Sequence, residues 1–137
     1  MTALAATDAL AILRLAAEAD TCATRRDAAA YAALFTEDGV MDGDMGRVAG
    51  RGALTAAVAR VWENETPGTL HLTCNAVVDD SGPAPTVASL LVMLIPQDAG
   101  VAVAAADVVQ RFVQTPEGWK IGSRHIITRS TAPPASP

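Results

Sequence analysis

His71, Asp20 and Asp107 are the residues of this chain whose type and setting best suit chemistry. An imidazole titrates near neutral pH, so a histidine facing a cavity can take a proton beside a carbonyl or imine and return it elsewhere. His71 stands in an alternating segment, with Leu70, Leu72, Cys74 and Ala76 on one side and His71, Thr73, Asn75 and Val77 on the other. Asp20 projects from the middle of the apolar side of a helix, where a solvated carboxylate has no reason to be. Placed opposite His71, it would accept the second ring N–H, fix the tautomer and stabilise an imidazolium. The competing readings are that the His71 face is the wet side of a strand, and that Asp20 meets an arginine or reaches solvent at a frayed helix end. Asp107 interrupts the apolar run from Val101 to Val109, which fits a pocket position or a buried pair with Arg124 or Arg111. Asn75 and Asp107 are expected to hold polar groups of a substrate, with Thr24 and Trp62 beside them; for Trp62 the alternatives are core and cavity rim.

The remaining titratable residues carry blander expectations. His125 shares strand parity with Trp119 and Ile121, which predicts a core histidine bonded to backbone. Neither histidine has close ligand spacing to the other or to Asp107, so no metal is expected. Asp38, Asp42 and Asp44 read as turn and capping residues, since no Glu follows at the spacing of a calcium loop. Gly-rich phosphate loops, a cofactor-lysine context and CxxC motifs are absent, which argues for chemistry without a cofactor.

The elements that must position these groups follow from periodicity. Thr7 is expected to cap a helix from Asp8 to about Arg25, and Asp27 a short helix from Ala28 to Phe35. A strand or turn begins at Val40, a loop runs from Gly43 to Gly52, and Leu54, Val58, Val61 and Trp62 mark a third helix from Ala53 to about Glu65. Strands follow from Leu70, from Thr86 to Ile95, from Val101 to Gln114 and from Trp119 to Arg129, with a hairpin at Thr115 to Gly118. Helices first and an antiparallel meander second predict an α+β fold, a curved antiparallel sheet wrapped over about three N-terminal helices. Residues 1–130 read as one domain and 131–137 as a mobile tail.

Composition narrows the partners. The chain has 137 residues, half of them apolar and 18% charged, enough for one sizeable core. A net charge of −5 is the wrong sign for neutralising phosphates, so no nucleic acid or anionic membrane partner is expected. The longest apolar run, Thr86 to Ile95, is too short to cross a bilayer. With no basic residue before an apolar N-terminal stretch, a cytoplasmic location is expected. Cys22 and Cys74 read as reduced thiols, with a single bridge as the alternative. Aromatic residues are 4% of the chain, so a cavity wall would be aliphatic and suit a small alicyclic, terpenoid or polyketide-like molecule. The strands from Thr86 and Val101 are apolar on both faces, which predicts a homodimer through the outer face.

Several segments occur in a telling order: Asp27, an Ala-Leu-Phe exit at Phe35, Glu37-Asp38-Gly39-Val40, Gly50-Arg51-Gly52, His71 with Asn75, Asp107, Arg111 and Gly118-Trp119-Lys120-Ile121. Over roughly residues 8 to 129 the chain resembles a SnoaL-like protein of the nuclear-transport-factor-2-like superfamily. The resemblance implies a cone-shaped α+β barrel, commonly dimeric, with a deep apolar cavity. Its members include polyketide cyclases, scytalone and bile-acid dehydratases, lindane dehydrochlorinase, ketosteroid isomerase and limonene epoxide hydrolase, besides proteins without known activity. The fold does not choose between them. By the same resemblance, His71 falls at the base of the dehydratases and Asp107 at a polar cavity position. The paired helix-1 aspartate of those enzymes falls at Thr24, with Asp20 one turn earlier, and their tyrosines fall at Ala23 and Gly43. The ketosteroid isomerase base falls near Gly43, between Asp42 and Asp44. Two functions stay open: a cofactor-independent lyase, isomerase or cyclase using His71, and a noncatalytic ligand-binding or scaffold domain.

Overall fold

A computed structural model describes residues 3–44 and 46–129. The tail at 131–137 lies outside the described residues. Helix α1 (Ala6–Arg25) is an Ala- and Leu-rich segment with no Gly or Pro inside it. It begins two residues before the expected Asp8, with Ala5 at the N-cap and no side-chain cap from Thr7. Tertiary contacts anchor this end instead, since Trp119 Nε1 donates to Asp8 at 2.9 Å and the Leu4 N–H to Asp80 at 2.9 Å. Arg26, at φ 57°, ends α1 in the left-handed conformation, and the following Asp27 caps α2 (Ala28–Ala33) by accepting from the Ala30 N–H at 3.0 Å.

The second helix is shorter than expected because Phe35 opens a strand, β1 (Phe35–Gly43), and is fully buried. The segment expected to be a loop instead pairs β1 with β2 (Gly46–Ala49) in a tight hairpin, and α3 (Arg51–Glu63) starts directly after it. Arg51 fastens that start, donating from Nε and Nη2 to the Phe35 carbonyl at 2.9 and 2.6 Å.

Strands β3 (Leu70–Asp79), β4 (Thr86–Pro96), β5 (Val101–Thr115) and β6 (Gly118–Thr128) form the expected antiparallel meander. The sheet order is β2-β1-β6-β5-β4-β3, and β1 runs parallel to β6, a pairing local sequence patterns do not reveal. The curved sheet is not closed into a barrel, for β2 and β3 remain its edges. Its inner face buries Val87, Leu91, Ala106, Val108, Phe112 and Ile121 beneath the helices. Its outer face leaves Leu70, Leu72, Val101, Val103, Val109 and Ile127 exposed. Among the described residues, no helix is long and apolar enough to cross a membrane.

Two bulges set which side chains face inward. In β3 the register shifts between Cys74 and Val77, and Asn75 takes φ 53° there. In β6, Ile121 pairs with Phe112 and Ser123 with Arg111, leaving Gly122 as the extra residue. The parity of β6 therefore reverses: Ile121 and Arg124 are both buried, and His125 turns outward. A Cβ at Gly122 would lie 2.8 Å from Val113 Cγ2 and 2.9 Å from Arg111 Nη2, so only glycine fits without displacement. Gly122→Ala should lower the unfolding free energy by about 1–3 kcal/mol in urea titrations, and an unchanged midpoint would show that the bulge has room.

Candidate functional site

Between the helices and the inner face lies a pocket of about 240 Å³. This is below the roughly 300–1,000 Å³ typical of drug-sized sites, so it suits a compact, ring-sized molecule. Its walls are mostly apolar, from Ala23, Val58, Val61, Trp62, Leu91, Met93, Ala106 and Ile126. Its polar groups are Asp20, Tyr31, Glu65, His71, Arg124 and Thr128, with Asp42 and Asp44 at the β1–β2 turn.

His71 is 7% exposed and lines this pocket, as its strand parity predicts. Its carboxylate partner is not the expected Asp20 but Glu65, whose Oε1 and Oε2 lie 3.0 and 3.3 Å from His71 Nε2. Glu65 follows the end of α3, and Arg26 holds that turn by donating to the carbonyls of Glu65 and Thr66 at 2.9 and 3.0 Å. On the other side of the ring, Thr24 Oγ1 lies 3.5 Å from Nδ1 and accepts from the His71 N–H at 2.8 Å. The hydroxyl thus satisfies a backbone donor on the free side of an edge strand.

Asp20 is 3% exposed and sits one helical turn before Thr24. That turn carries it past His71 to the next inward residue of β3, and Thr73 Oγ1 donates to its Oδ2 at 2.5 Å. Arg124 Nη2 donates to its Oδ1 at 2.5 Å. The expectation that Asp20 orients His71 is therefore corrected. Asp20 and His71 line one pocket in separate polar pairs, and an arginine satisfies Asp20, as the competing reading has it. The Arg124 guanidinium is buried and lies 5.9 Å from the Tyr31 ring centroid. Burial, with the Arg124 charge opposing it, pushes the Tyr31 hydroxyl up, so it stays a neutral phenol; it donates to Met41 Sδ at 3.5 Å.

Other expected contacts fall elsewhere. Asp107 is on the outer face, since Ala106 and Val108 point inward, and it pairs there with Arg129 at 2.9 and 3.1 Å. Neither Arg124 nor Arg111 is its partner. Asn75 is exposed at the β3 bulge, away from the pocket. His125 is half exposed, 3.7 Å from Asp42, and is not a core residue, because the Gly122 bulge reversed its parity. Trp62 is buried on the pocket wall, and Thr24 touches the ring that faces the pocket. Hydrogen bonds from the Thr128 side chain and from its N–H, the latter at 2.9 Å, hold the Asp44 carboxyl below the usual range. Both cysteines are free, with Cys22 buried and Cys74 half-buried.

Glu65, Tyr31 and the role of Arg124 escape sequence reading. Glu65 looks like an ordinary charge at a helix end. Arg124 is hidden by the bulge, though Gln110, in step with inward Val108 and Phe112, signals a polar layer at that level of the sheet.

A family model described as a SnoaL-like domain matches residues 5–125. The chain belongs to the SnoaL-like family. No curated protein matches its sequence. Among solved structures, the SnoaL-like chain is similar to a protein of unknown function with a cystatin-like fold from Nostoc punctiforme, at 25% identity and TM-score 0.85, covering 96% of this chain and 98% of that one. It is similar to an NTF2-like protein from Novosphingobium aromaticivorans, at 22% identity and TM-score 0.80, covering 92% and 84%. A protein described as a candidate scytalone dehydratase from the same organism is 19% identical with TM-score 0.75, covering 90% and 85%. These likenesses establish the fold and leave the reaction to the site itself.

The buried pair makes a clear stability prediction. Asp20→Ala strands a guanidinium and should cost about 3–5 kcal/mol, whereas Asp20→Ala with Arg124→Met should recover most of that loss. Denaturant unfolding of both variants measures the difference.

Proposed function

We propose that the protein is a cofactor-independent lyase, isomerase or cyclase that moves a proton on a compact, mostly apolar carbonyl compound, with His71 and Glu65 acting as one acid–base pair. The observation that carries this reading is the buried imidazole on the pocket wall with Nε2 3.0 Å from Glu65 Oε1. An imidazole and a carboxylate sharing one proton can accept a second from a C–H beside a carbonyl and return it at another atom. Thr24 is the positioning residue on the opposite edge of the ring, and Trp62 shapes the wall against which the substrate lies. Asn75 and Asp107 have no part in this reading, since both side chains are outside the pocket. The aliphatic lining supports a small hydrophobic ligand, and one structural neighbour, from Catenulispora acidiphila at 20% identity, was solved in complex with S-DNPA.

The second reading, a noncatalytic ligand-binding domain of the same fold, draws on the fact that both ring nitrogens of His71 already face partners within the protein. Deuterium exchange at the α-carbon separates the two. With menthone and cyclohexanone in D₂O, followed by proton NMR, the wild type should accelerate exchange, and His71→Gln or Glu65→Gln should each reduce the acceleration by about 10²-fold or more. Binding without exchange would favour the noncatalytic domain.

The same proposal extends to assembly. The exposed apolar outer face, from Leu70 and Leu72 through Val103 to Ile127, would pack on a second copy of the chain. Light scattering at micromolar concentration should give twice the monomer mass, and a strictly monomeric result would remove this part of the reading.

A further inference from the structure

Arg124 has more hydrogen-bonding capacity than the protein uses. Its guanidinium is 2% exposed and lines the pocket, yet only Nη2 has a partner, Asp20. Among the described residues, nothing accepts from Nε or Nη1. Directly opposite in the β5–β6 register stands Gln110, fully buried, whose amide nitrogen and oxygen are also without partners. Each buried donor left unpaired costs about 1–3 kcal/mol, so a site of this kind is built around an acceptor that the side chains do not supply.

The charges facing Arg124 restrict what that acceptor is. Asp20 already balances the guanidinium, and Glu65 adds a second carboxylate to the same pocket. A ligand that arrives as a carboxylate or phosphate would meet two carboxylates and one guanidinium. A neutral carbonyl oxygen meets no such repulsion on entry, and when its oxyanion forms the proton stays in the pocket on the His71–Glu65 pair, so the total charge is unchanged; the apolar walls accommodate the rest of the molecule.

We infer that Arg124 is the oxygen-recognition residue of the pocket, donating from its free nitrogens to the carbonyl oxygen of an uncharged ligand and to the oxyanion that forms when a neighbouring C–H is deprotonated. This rests on the proposed proton-transfer reading and adds its electrophilic half. The C–H bond breaks, its proton passes to the Glu65–His71 pair, its electron pair forms a C=C bond to the carbonyl carbon, and the C=O π pair moves onto oxygen as an enolate facing Arg124. Reprotonation at another atom returns the proton and restores the pair. A preorganised buried donor at the place where charge develops is the arrangement that stabilises such a state.

The test uses p-nitrophenol, a neutral ring-sized weak acid whose ionisation mimics the developing oxyanion and is read by its absorbance. Bound to the wild type, it should ionise at least tenfold more readily than when bound to the Asp20→Asn/Arg124→Gln double variant, which removes the buried charge pair together and keeps the site filled. Circular dichroism establishes that the variant is folded. Equal ionisation on wild type and double variant would overturn the role of Arg124, as would failure of p-nitrophenol to bind the wild type at all. If the enhancement is present but menthone does not exchange, the proton-transfer reading fails and the oxygen site stands. If exchange is found without the enhancement, the reverse holds.

Discussion

The Asp20–Arg124 ion pair is the contact on which the rest of the interior depends. It joins the first helix to the last strand, and through Thr73 the same carboxylate also reaches β3, at the far edge of the sheet. One side chain thus spans the concave face between β6 and β3. A buried pair of this type gives little net stability relative to apolar replacements, but half of it alone is strongly unfavourable. Its effect is therefore on arrangement: α1 is held at one depth and phase over the sheet, which in turn places Thr24 against His71 and Ala23 on the pocket wall.

The elements legible in the sequence are those whose signal is local. Alternation over β3, the apolar runs of β4 and β5 and helical spacing in α1 and α3 are local patterns of burial, and the structure places these elements within a few residues of expectation. The anomaly at Asp20 is equally legible, because a carboxylate on an apolar face requires a partner wherever the chain goes. The identity of that partner is not. Arg124 and His125 exchange places through one extra residue, Gly122, and a period-two argument carried past a bulge inverts every residue beyond it. Asn75 fails for the same reason in β3.

Asp107 and Glu65 illustrate a different limit. A charge inside an apolar strand marks a pocket only if the strand has one wet face to avoid, and here the outer face of β5 accommodates an exposed ion pair with Arg129. Glu65 lies where an exposed helix end is expected, and its contact with His71 depends on the backbone turn that Arg26 holds from another helix. The polar groups of the pocket come from α1, α2, the end of β1, β3, β6 and the exit of α3. Periodicity within any single element does not assemble such a set.

The parallel pairing of β1 with β6 has a kinetic meaning. Phe35 and Ile121, which meet in this register, lie 86 residues apart in sequence, so their contact closes a loop containing most of the fold. Long-range closures of this sort carry their entropy cost before any native contact offsets it, and they slow folding relative to local hairpins. The β3–β6 meander can assemble by successive hairpins, while docking of the β1–β2 hairpin onto the sheet must wait for β6 to be made. During synthesis, Arg124 emerges 104 residues after Asp20, so Asp20 remains without its counter-charge until β6 has been made.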